Sequence, residues 1–105
     1  MDVSILRGED GFRRVSIEHE GDTWCFRELS ALDQEQILEL GLSDYRQGLA
    51  MIAASMRDAD TGRPYFESIA EGVEQLMHRP AGLLRQVLQH GAAVANRMED
   101  ASPES

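Results

Sequence analysis

At Leu29 the spacing of apolar residues changes, and this change constrains the fold more than any other feature of the chain. Before it, Phe12–Glu20 reads FRRVSIEHE, with Val15 and Ile17 on one side and Arg14, Ser16 and Glu18 on the other. That is the period-two signature of a strand. Gly21 and Asp22 supply turn residues, and Thr23–Leu29 alternates again, with Trp24 and Phe26 on one face. The two runs predict a β-hairpin. Two strands alone are marginal in water, so their apolar face must lie on helices or on another chain. The preceding DVSIL is either a third strand or a loose arm, set off by Gly8 and Gly11.

After Leu29 the period is helical. Ser30 with Asp33 forms an acidic variant of the capping box, and the helix it opens runs from Ala31 to about Leu40, where Gly41 ends it. Ser43 caps a second helix, with Asp44 in the first turn, where the helix dipole favours an anion. Tyr45, Leu49, Ile52 and Met56 fall on one face of it, and Ala50, Ala53 and Ala54 permit close packing. A third helix is expected from about Glu67 to His78, with Ile69, Val73, Leu76 and Met77 as its stripe. Pro80 breaks it. A last helix runs from about Ala81 to Met98 through Leu84, Val87, Leu88, Gly91, Val94, Ala95 and Met98. The expected architecture is mainly α with a small N-terminal β-hairpin, about four helices packed with the hairpin. It forms one domain over residues 1–98, followed by a disordered tail, 99–105.

Charge and composition narrow the function. Nineteen acids face ten bases, all of them arginine, for a net charge of −9. Residues 1–42 carry ten acids and four arginines, net −6; residues 43–105 carry nine and six, net −3. No basic stripe appears, which argues against nucleic acid or an anionic membrane as a direct partner. No apolar run approaches the roughly 20 residues that cross a bilayer, and the acidic start lacks the basic and greasy segments of a signal peptide. A bacterial cytoplasm is the expected location. Cys25 is the sole cysteine, so no internal disulfide forms.

DADTGRPYF, Asp58 to Phe66, poses the one question of metal chemistry. Counted as a calcium loop from Asp58, Asp60 fits the third position. Gly62 at the fifth has no side chain to donate, Arg63 stands where glycine is needed, and Ile69 stands where a bidentate glutamate belongs. A sharp helix-to-helix corner accounts for more residues. Aspartate bonds its own backbone in turns, Gly62 takes positive φ, and Pro64 holds the exit extended. His19, His78 and His90 show no ligand spacing, a P-loop needs the lysine that this chain lacks, and Ser55 and Ser68 have no base nearby in sequence. Neither an enzyme nor a cofactor is expected.

The order of a hairpin, an alanine-rich helix, this corner and two amphipathic helices resembles the tail assembly chaperones of long-tailed phages and prophages. In that family a strand leads into an R-E-L-S/T-A helix start, matched by Arg27, Glu28, Leu29, Ser30 and Ala31. A D-x-D/E-G-x-x-x-F corner follows, matched by Asp58, Asp60, Gly62 and Phe66 with Thr61 inserted. The resemblance covers roughly residues 13–95. It implies a non-enzymatic, oligomeric protein, of the short non-frameshifted form, that keeps the tape measure protein soluble during virion assembly. A longer frameshift form is implied to reach the major tail protein. Tolerant recognition of a helix needs exposed aliphatic or methionine side chains; Leu38, Leu42, Met51, Met77 and Leu83 are the candidates for client or subunit contacts. The alternative is an acidic phage regulator or DNA mimic bound to a basic host protein. The arginines interspersed among its acids (Arg46, Arg57, Arg63, Arg79, Arg85, Arg97) weaken that reading.

Overall fold

The computed structural model describes residues 2–98; the expected tail, 99–105, lies outside the described residues. The predicted hairpin is present as β2 (Arg13–His19) and β3 (Asp22–Arg27). It is the centre of a larger sheet. β1 (Asp2–Arg7) pairs antiparallel with β2, and β4 (Met56–Arg57) pairs antiparallel with β3, in the order β1-β2-β3-β4. The expectation of a mainly helical chain with only an N-terminal hairpin is therefore overturned. The protein is a mixed α+β fold built on a four-stranded antiparallel sheet, whose last strand comes from the middle of the chain. β4 escapes a reading by periodicity because two residues have none. Met56 also falls on the helical stripe of Tyr45, Leu49 and Ile52. Its backbone is instead extended (φ −67°, ψ 137°), and it lies opposite Phe26 in the sheet.

Four helices follow the expected order: α1 (Ala31–Glu39), α2 (Asp44–Ser55), α3 (Ile69–Met77) and α4 (residues 81–95). Within α4 the stretch Leu84–Leu88 is π-helical, so that the Gln89 N–H reaches the Leu84 carbonyl five residues back. The wider turn rotates the following residues, and Val87, Leu88, Ala92, Val94 and Ala95 are all buried. Met98, placed on this stripe by sequence, lies beyond the helix end and is exposed. None of the described helices is long and apolar enough to cross a membrane.

The sheet packs one face on the helices. Val15 and Phe26 stand opposite each other there, as do Ile17 and Trp24. Val15, Ile17 and Phe26 are buried, and each large side chain of this kind contributes ~1.5–3 kcal/mol when removed from water. Two glycines set how closely the layers approach. A Cβ at Gly91 would stand 2.5 Å from Cδ1 and Cζ of Phe26, so the bare backbone of α4 receives the ring. A Cβ at Gly72 would stand 2.6 Å from the Ala53 Cβ, which joins α3 to α2.

The joint from β3 to α1 uses every residue of the RELSA stretch. Arg27 pairs with Asp33 at 3.0 Å and stacks over the Phe12 ring at 4.6 Å. Glu28 accepts from the Arg13 N–H at 3.1 Å and pairs with Arg97 at 3.0 Å. Leu29 is buried, Ser30 and Asp33 close the predicted capping box in both directions, and Ala31 begins the helix. The DADTGRPYF stretch is a turn, although it returns from a strand and not from a helix. The Asp58 Oδ1 accepts from the N–H groups of Asp60 and Thr61, both at 2.9 Å, and Arg57 bridges to Pro64 across the loop. Those N–H bonds hold the Asp58 carboxyl below its usual range.

Candidate binding groove

α4 lies across β2 and β3, and α2 runs beside it without the two helices filling the space between them. On α2, Gly48 offers no side chain; on α4, Ala81, Ala92 and Ala93 offer only methyl groups. The result is a groove of about 360 Å³, floored by Leu49, Ile52 and Leu84 and walled by Met51, Arg85, Gln89 and Asn96. Tyr45 and Met98 stand at its mouth, 65% and 68% exposed. Asp44 and Arg85 place one charge of each sign on the rim. The lining is otherwise mostly apolar, the composition of a site that recognises by shape.

Asn96 anchors one end of the groove. Its Oδ1 accepts from the Leu29 N–H at 2.7 Å, while its Nδ2 donates to the Ser55 Oγ at 2.9 Å and to the Ala92 carbonyl at 2.8 Å. Ser55 is fully buried, and this bond occupies its hydroxyl. One amide thus ties the ends of α2 and α4 to the β3–α1 joint.

A second concavity, about 580 Å³, opens between α1, α2 and α3 and is more polar, with Asp33, Glu39, Arg57, Glu67 and Ser68 in its wall. Arg57 there donates from Nη1 to the carbonyls of Ala54 and Met56, at 2.7 and 3.0 Å, and so caps the end of α2. Burial, and then the charge of Arg27, lower its guanidinium to about 10. Among the described residues no group of three His, Cys, Asp or Glu side chains is arranged to hold a metal ion. Cys25 Sγ lies 3.8 Å from Ser16 Oγ on the outer face of the sheet.

The five residues proposed from sequence as contacts do not converge. Met51 lines the groove. Leu38 on α1 is exposed, as is Met77 at the end of α3; Leu42 and Leu83 are half-buried against the core. Tyr45, Leu84 and Met98, which face the groove, read in the sequence as core stripe. Large apolar residues and small ones share the same helical face, and only the crossing of α2 and α4 shows that the small ones meet each other. The signal that could have found the groove is Gly48 within an otherwise well-formed helix.

No family model matches the chain, and neither a curated protein nor a solved structure is similar to it at a significant level.

Proposed function

We propose that the chain is a non-enzymatic assembly chaperone whose α2–α4 groove takes the apolar face of a helix from a phage tape measure protein. It would hold that client soluble in the bacterial cytoplasm until tail assembly, and needs no cofactor to do so. The carrying observation is the groove itself: an apolar trough between two helices, left open by Gly48 and the α4 alanines, with Tyr45 and Met98 at its mouth. An amphipathic helix anchors in such a trough through side chains at i, i+3, i+4 and i+7. The residues supporting the tail-chaperone resemblance, RELSA and the Asp58 corner, are structural joints. In this chain they join elements of the fold, and the groove is the part of the surface proposed to meet the client.

Gly48→Leu tests the reading. A Cβ at Gly48 meets nothing within 4 Å, so the new side chain enters the groove without displacing a neighbour. The variant is expected to fold at least as stably as the parent, since glycine disfavours a helix interior. It is also expected to lose the ability to bring a co-expressed tape measure protein into the soluble fraction. Full solubilisation by a folded Gly48→Leu protein would remove the groove from the mechanism.

A further inference from the structure

The face of the sheet turned away from the helices carries a row of side chains that crosses all four strands. Ser4 stands opposite Ser16, Ser16 opposite Cys25, and Cys25 opposite Arg57. Side chains alternate along a strand, so Leu6, Arg14 and Arg27 form the next row on the same face. Arg14 and Arg27 are themselves directly opposed. Three guanidinium groups thus share one small surface of a chain whose net charge is −9, although like charges set opposite each other destabilise a sheet.

Two of the three are neutralised. Arg14 reaches both carboxylate oxygens of Asp10, at 3.0 and 2.9 Å, and Arg27 pairs with Asp33 at 3.0 Å. Arg57 is in no ion pair among the described residues. Its Nη1 spends both hydrogens on the carbonyls of Ala54 and Met56. The Nε and Nη2 hydrogens are left without a protein acceptor among the described residues, and such a planar edge takes a carboxylate side-on in two parallel bonds. A trough of about 210 Å³ leads to this cation. Ser16 and Cys25 form its floor, Leu6 and Arg14 stand on one side, and Ala59 stands on the other. It is smaller than the ~300 Å³ at which drug-sized sites begin, so it admits one small molecule and excludes a helix. Asp58 also lines it, but its Oδ1 is engaged by the N–H groups of Asp60 and Thr61.

We propose that this trough binds a small organic carboxylate, with its oxygens on Arg57 and its apolar body along Leu6 and Ala59. Arg14, already paired, adds positive field at the wall and no direct bond. The trough shares no residue with the α2–α4 groove, so the site stands or falls independently of client binding.

Cys25, in the floor, reports occupancy. Its half-buried thiol is in no disulfide, and its labelling by dithiodipyridine, an uncharged disulfide, releases one thiopyridone that is read by absorbance. Benzoate added to the full chain at constant ionic strength is expected to slow labelling saturably, with half-protection at about 1 mM. Benzamide, of the same shape without the charge, is expected to leave the rate unchanged. Arg57→Lys keeps a cation but loses the fork, and is expected to raise the half-protecting benzoate concentration about tenfold. Leu6→Glu carries the test if that variant disturbs the fold. Leu6 is 70% exposed, and a carboxylate at the trough wall is expected to weaken benzoate about tenfold with an unchanged circular dichroism spectrum. Benzoate that protects no better than benzamide, or protects a folded Leu6→Glu protein as well as the parent, overturns the proposal. Protection by inorganic phosphate and not by benzoate overturns it as well.

Discussion

Asn96 shows how much one side chain can hold. Its three hydrogen bonds join groups far apart in sequence, and two of the partners, the Leu29 N–H and the Ser55 hydroxyl, have no water-facing alternative in the packed joint. Buried polar groups left unpaired are costly. Asn96→Ala is expected to destabilise the fold by about 2–4 kcal/mol, read as a fall in the urea midpoint at unchanged slope. Ser55→Ala removes one of those bonds and leaves the amide's other two in place, so its loss should be nearer ~1 kcal/mol. Equal losses from the two variants would mean that the amide is not the common tie.

Elements succeed or fail in this chain according to how closely glycine lets them meet. Gly91→Ala drives a methyl group into the Phe26 ring and should cost about 1–3 kcal/mol or more. Gly48→Ala meets open space and should stabilise α2 by about 0.5–1 kcal/mol. Urea unfolding of the pair gives opposite signs for the same chemical change. Sequence pattern located all four helices, because Ser30 with Asp33 and Pro80 mark boundaries through local backbone chemistry; Ser43 takes the N-cap position of α2 but, against expectation, makes no side-chain cap bond. It also located β2 and β3, whose alternating faces are written in Val15, Ile17, Trp24 and Phe26. It left β1 undecided and missed β4, since strand pairing joins residues distant in the chain and two residues carry no period. The groove was only half legible for a related reason. Gly48 inside a well-formed helix hints at a missing side chain, but only the packing of α2 beside α4 turns it and Ala93 into a gap.

At the scale of the whole molecule, the net charge of −9 is stitched together at a few joints. Arg14 and the Phe12 N–H hold the Asp10 carboxyl well below its usual range; Arg97 and then the Arg13 N–H lower Glu28. Both groups bind a proton less readily folded than unfolded, as does Asp58. Their contribution is complete above the unfolded values, 3.8 for Asp10 and 4.5 for Glu28, and is lost as the pH falls through the lowered folded values. Urea midpoints should therefore be flat from pH 7 to ~5 and decline below ~4, and Glu28→Gln should reduce that decline while weakening the protein at neutral pH. A midpoint that climbs on acidification would show that relief of self-repulsion among the carboxylates dominates instead.

Asn96 belongs both to the knot that closes the fold and to the wall of the groove. Whatever lodges against it also braces the junction of α2, α4 and the β3–α1 link, so a loaded copy resists thermal opening and proteolysis better than an empty one. On the function proposed above, empty copies would then be the first to be degraded, tying the lifetime of the protein to the supply of client.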